Sequence, residues 1–209
     1  RRSWRLTVTL LERYNNLVDR ITDIHLRDVL DDLIGNCEIY NKPASVRHHV
    51  KDWGLLEHCV EVAEGALRLA DEYDAPVTRD YLIFCGLLHD YGKTQVAGYC
   101  YPGYMQHCMI GANAVGRALK DNGNFCKDDI KFIANIIGSH HRNFEAEKDK
   151  KDPLRHTCLE NYLIYVSDGL SAITYIARYA RDGGKLIYDC YGEKDLEITR
   201  GGRSVECGR

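Results

Sequence analysis

Histidine and aspartate recur in this chain at places where helical periodicity calls for apolar side chains. His58 stands three residues after Leu55 and four before Val62, on one stripe with Ala66 and Leu69. His107 shares the face of Ile110, Ala114 and Ala118, while Ile133, Ile136 and Ile137 lead up to the pair His140-His141. Asp168 lies four residues after Ile164 and four before Ala172. In Tyr81–Lys93, YLIFCGLLHDYGK, an apolar run ends abruptly in His89-Asp90, and Gly92 follows. Burying a polar group without a partner costs roughly 2–7 kcal/mol, and a charge costs more. Taken singly, each of these residues reads as a hydrogen-bonded core histidine or as a helix end meeting water. Five inward-facing groups on five helices do not, because each would need its own partner. One site at which they converge satisfies all of them.

Imidazole nitrogen and carboxylate oxygen, with no thiolate, suit Mn, Fe, Co, Ni or Zn, with Mn or Fe favoured. Four imidazoles and two carboxylates are more than one octahedral ion needs while keeping a position open. The count points to two divalent metal ions sharing a carboxylate.

The elements that must position these groups are helical. Trp4–Ile21 and Ile24–Ile34 read as helices, the second capped by Thr22-Asp23 and stopped by Gly35-Asn36. Pro43 breaks the chain, and Ala44–Val50 reads as a short helix or turn carrying His48-His49. Helices follow over Gly54–Glu72, Arg79–Asp90, Met105–Lys120, Lys127–His141 and, from His156 or Thr157, to Arg181. Between them run an irregular loop, Thr94–Met105, with Tyr99, Tyr101 and Tyr104, and a charged loop, Arg142–Arg155, read as solvated surface. The sequence therefore predicts an all-α array of roughly seven helices over 1–181 and a Gly-rich tail over 182–209. That tail has room for a small hairpin, with Lys185–Tyr191 as a candidate strand.

Composition excludes several function classes. Net charge is −3, from 28 basic and 31 acidic residues, so no global basic field advertises nucleic acid. No apolar run is long enough to span a membrane, and none reads as a signal peptide. The nine cysteines form no CxxC pair and no regular framework, which predicts reduced thiols in a cytoplasmic protein. Cys59, Cys85 and Cys108 lie close to the candidate ligands in sequence, and Cys85 precedes His89 by one turn; all three are read as outside the ligand set.

The order His58 … His89-Asp90 … Asp168 resembles the signature of the HD-domain metal-dependent phosphohydrolases, and His107 with His140-His141 resembles their binuclear subset. The segments KPASVRHHVKDWGLLEH, GLLHDYGKT, HCMIGANAV, IIGSHH and YVSDGLSA are similar, in that order, to the HD portion of bacterial exoribonucleases that trim RNA from its 3′ end. They are also similar to an HD segment of some conjugative relaxases. The resemblance implies that Asp90 bridges the metals, that His58, His89 and Asp168 complete one site, and that His107 and His140, with or without His141, complete the other. It implies catalytic roles for Asp90, Asp168 and Lys93, with Lys93 on a substrate phosphate. From their positions in the chain, His49 and Tyr104 join Lys93 as candidate substrate contacts.

The expected reaction is hydrolysis of a phosphodiester in single-stranded nucleic acid or a nucleotide, by a hydroxide activated between the metals. Those exoribonucleases carry a strand-binding OB-fold ahead of the HD domain, and nothing before residue 40 reads as one. The chain opens on Arg1-Arg2-Ser3 rather than Met, which leaves room for further domains of a longer parent; the other reading is a stand-alone enzyme with a smaller substrate. The rival class is an HD-fold mixed-valent di-iron oxygenase acting on a small polar organic molecule, since it uses the same donor types.

Overall fold

A computed structural model describes residues 9–35, 38–45, 47–95, 106–141, 158–182, 199–200 and 203–204. Among the described residues the elements are α1 (Leu10–Arg20), α2 (Ile24–Ile34), α3 (Gly54–Glu72), α4 (Arg79–Leu88), α5 (Gln106–Asn122), α6 (Lys127–Ser139) and α7 (Leu159–Asp182). Short 3₁₀ turns cover Glu38–Tyr40 and Tyr91–Gln95. A two-residue antiparallel pair joins β1 (Thr199–Arg200) to β2 (Arg203–Ser204). The all-α reading holds. Among the described residues no helix is long and apolar enough to cross a membrane.

Several boundaries move for identifiable reasons. The first helix starts at Leu10 because Thr9 and Glu12 form a reciprocal capping box: Thr9 Oγ1 accepts from the Glu12 amide at 3.2 Å, and the Thr9 amide donates to Glu12 Oε2 at 2.6 Å. Asp23 caps α2 as expected, accepting from the His25 and Leu26 amides. The segment around His48-His49 is a turn, in which Ser45 Oγ accepts from the amides of Arg47 and His48. α4 and α6 each end one residue before a histidine, so His89 and His140 are C-caps. The Thr94–Met105 loop beyond Gln95, the Arg142–Arg155 loop and the candidate strand Lys185–Tyr191 lie outside the described residues.

The core is organised around α3, which packs against α7 on one side and α4 on the other, while α5 pairs with α6. Leu55, Val62 and Ala66 are fully buried beside His58, as the apolar stripe requires. Gly86 lets α4 approach α3 closely: a Cβ there would come within 2.8 Å of Ala63 Cα. That approach sets His58 and His89 side by side. Gly92 does the same for the turn after His89, because a Cβ would collide with the His107 carbonyl of α5.

Candidate metal centre

Each candidate residue is brought in by a helix end or a buried helix face. His89 and His140 occupy equivalent positions, one residue past their helices. Each donates its Nδ1–H to a carbonyl three residues back, His89 to Gly86 at 2.8 Å and His140 to Ile137 at 2.6 Å. The last turn of each helix thereby fixes Nδ1 as a donor and turns Nε2 inward, where the neutral ring carries a lone pair. His58 is held by side chains instead. Ser171 Oγ on α7 donates to Glu61 Oε2 at 2.8 Å, so it accepts from His58 Nδ1–H at 3.1 Å. His58 Nε2 is then also a lone pair facing the centre.

Asp90 sits in the middle, 1% exposed. Its two oxygens face different partners. Oδ2 lies 3.7 Å from His58 Nε2, 3.5 Å from His89 Nε2 and 2.6 Å from Lys93 Nζ. Oδ1 lies 3.2 Å from His107 Nε2 and 3.7 Å from His140 Nε2. Asp168 closes the ring: its Oδ1 is 3.0 Å from His58 Nε2 and its Oδ2 3.4 Å from His141 Nδ1. His141 in turn places Nε2 3.2 Å from His107 Nε2.

Among the described residues, His58, His89 and Asp168 form one group whose donor atoms lie within 4.8 Å of one another, and His107, Cys108, His140 and His141 form another. The donor set fits divalent cations on two counts. His58 and His89 bring two inward Nε2 lone pairs to 3.4 Å. Asp90 Oδ1 is buried and makes no well-aligned hydrogen bond, although His107 Nε2 lies 3.2 Å away. A buried acceptor left so costs about 1–3 kcal/mol, and a cation removes both penalties at once.

The electrostatics follow the same division. Burial works against a charged Asp90, but Lys93 and the surrounding imidazoles outweigh it and hold the carboxyl well below its usual range. Asp168 is likewise lowered against the effect of burial, chiefly by His58. Burial brings His89 down to about 4 and His141 to about 2, so both are neutral at pH 7. His107 and His140 are raised in spite of burial. For His107 the adjacent Asp90 carboxylate leads the opposing causes, and for His140 it is the charge of Cys108.

Three features escaped the sequence reading. The first is the support chain beneath His58. His49, expected at the substrate, is wholly buried; its Nε2–H donates to Glu61 Oε2 at 3.2 Å and its ring stacks on Tyr175 at 4.4 Å. His48 Nδ1–H then donates to His49 Nδ1 at 3.1 Å, so His48 keeps an Nε2 lone pair, half-buried, with its ring 4.7 Å from that of His58. His49 adopts a left-handed backbone, φ 49°, a conformation tolerated near sites rather than in regular structure. Only the adjacency of His48 and His49 hinted at this.

The second is Cys108, whose Sγ lies 3.6 Å from His107 Nε2 and 3.9 Å from His140 Nε2. Burial raises the Cys59 and Cys85 thiols, whereas Cys108 is lowered to about 6: His140 and His107 outweigh its burial. Its place next to His107 in sequence was the available signal. The third is Ser171, whose serine among apolar α7 residues carried no mark of its role. Tyr104 lies outside the described residues, as do Tyr99 and Tyr101.

The HD domain family matches residues 55–173, more than half of the chain. The chain belongs to the HD-domain family. It is a metal-dependent phosphohydrolase of that family, in agreement with the donor set and the motif order. The dihydroneopterin 2′,3′-cyclic phosphate phosphodiesterase of Methanocaldococcus jannaschii is 27% identical to it over 177 residues, covering 76% of this chain and 67% of that protein. No solved structure matches the chain.

Proposed function

We propose that this HD-domain protein hydrolyses phosphodiester bonds of nucleotides or single-stranded nucleic acid at a centre for two divalent ions bridged by Asp90. The observation that carries this reading is the division of one buried carboxylate, with Oδ2 toward His58 and His89 and Oδ1 toward His107 and His140. His58, His89 and Asp168 would hold one ion and His107, His140 and His141 the other. Such ions supply a Lewis acid for a phosphate oxygen and a water acidic enough to act as nucleophile near neutral pH.

The chain's own residues would bind and orient the substrate around that chemistry. Lys93, raised above its ordinary range because Asp90 outweighs its burial, stays charged and would meet a phosphate oxygen once a metal occupies Asp90. His48, held at about 2 chiefly by burial, stays neutral and would accept a hydrogen bond from a ribose hydroxyl through Nε2. The similarity to a phosphodiesterase of a 2′,3′-cyclic phosphate supports a small phosphodiester. A net charge of −3 offers little affinity for long duplexes, whose binding rests on several clustered cations.

The test is hydrolysis of 2′,3′-cyclic nucleotides, linear dinucleotides, single-stranded oligomers and duplex by Mn²⁺- or Fe²⁺-loaded protein, under nitrogen and in air. Cleavage of the small and single-stranded substrates, equal in both atmospheres, is expected. Turnover only with iron and oxygen, with no phosphodiester cleaved, would transfer the protein to the di-iron oxygenase class.

A further inference from the structure

We propose that the two metal sites differ in softness, because Cys108 contributes a thiolate to the site formed by His107, His140 and His141. This rests on the metal-centre reading above and assigns a ligand that neither the motif order nor the donor count includes.

The geometry is specific to this thiol. Cys108 is 1% exposed and its Sγ points among imidazole nitrogens, 3.6 Å from His107 Nε2 and 3.9 Å from His140 Nε2. One donor atom from each of His107, Cys108, His140 and His141 lies within 4.8 Å of every other. Cys59 and Cys85 are equally buried, yet neither belongs to any donor group among the described residues. Cys85, one turn before His89, therefore does not play this part. His107 and Cys108 open α5 while His140 and His141 close α6, so the packing of these two helices assembles the whole set.

Three imidazoles and a thiolate suit a borderline-soft ion such as Zn²⁺, Co²⁺ or Fe²⁺ rather than Mn²⁺. On binding, the sulfur lone pair forms the metal bond, and the proton shared between Cys108 and its imidazole neighbours leaves to solvent. The group of His58, His89 and Asp168 has only nitrogen and oxygen and accepts harder ions. The centre is thus suited to two different metals.

Cobalt reports this directly. Metal-free protein titrated with Co²⁺ under nitrogen is expected to bind about two ions and to develop a sulfur-to-cobalt charge-transfer band with one of them. Cys108→Ser should lose that band while retaining cobalt, and Cys59→Ser should keep it. In the unmodified protein loaded with zinc, X-ray absorption should resolve one sulfur at about 2.3 Å, a readout independent of how any variant folds. Two bound cobalt ions with no charge-transfer band, a band that survives in Cys108→Ser, or zinc with no sulfur neighbour would each overturn the thiolate while leaving the metal centre standing. Failure of the wild-type protein to bind cobalt or zinc would overturn both.

Discussion

Lys93 Nζ donates to Asp90 Oδ2 at 2.6 Å, across three residues of chain and a single 3₁₀ turn. The carboxylate is buried, whereas the lysine side chain is 22% exposed. Of the pair, only the lysine can turn outward. A cation on Asp90 would displace the ammonium toward solvent and toward any phosphate arriving there. Lys93→Ala is therefore expected to lower phosphodiester turnover by roughly 10²-fold or more, the scale of losing one charge-stabilising donor. Metal content by elemental analysis should stay near the wild-type value. Equal loss of metal and rate would make Lys93 a mere neutraliser of Asp90.

Asp90 faces both donor groups and His107 faces one. Asp90→Ala should abolish uptake at both sites, and His107→Ala should spare one ion per chain, measured by equilibrium dialysis. Full occupancy in Asp90→Ala would end the bridging role.

Much of this was legible in the sequence because helical periodicity marks inward faces without knowledge of the fold. Leu55, Val62 and Ala66 identified the face of His58, and the isoleucines before His140 identified its end of α6. What stayed hidden depends on contacts between distant elements. Ser171 acquires its role from Glu61, 110 residues away, and His58, 113 residues away. The sequence makes His49 a candidate substrate contact, since nothing near it in the chain signals Glu61 and Tyr175, which hold it inward. α4 and α6 end two residues earlier than the sequence predicts, at Leu88 and Ser139 rather than Asp90 and His141, because the histidine after each helix bonds back to its last turn and so reads, in sequence, as part of the helix.

The Ser171 link gives a test of support without direct contact. Ser171→Ala removes the acceptor of His58 Nδ1–H and leaves that ring free to change tautomer. Metal affinity should fall about 10–100-fold, the usual effect of losing such a partner. Competition with a chelator measures it, and Ser171→Thr, which restores the hydroxyl, should recover most of the loss.

Gly92 couples fold to site. In Gly92→Ala the new methyl would meet the His107 carbonyl and crowd Gly111, so the turn after Asp90 must part from α5. Overpacking of this kind costs about 1–3 kcal/mol. Thermal unfolding of the metal-free protein should show that loss. Uptake at the His107 site should weaken further, since His107 moves relative to Asp90.

The pH dependence of metal uptake separates the two sites. A raised histidine holds its proton in the metal-free protein at pH values where a free imidazole has lost it, and the metal must expel that proton. His107 and His140 are raised; although burial opposes this, Asp90 and Cys108 supply the main opposing causes. His89, at about 4, and the lowered Asp90 and Asp168 carry no proton at pH 7 and release none. At pH 7 the uptake of metal should therefore release protons from the His107–His140 side, and none from His89, Asp90 or Asp168. Affinity at that side should rise with pH, roughly tenfold per unit for each proton displaced, and level off once pH exceeds the raised values. Calorimetric titration in buffers of different ionisation enthalpy counts the protons. A count that is zero at pH 7, or one that His107→Ala leaves unchanged, would show that the imidazoles enter the centre already neutral.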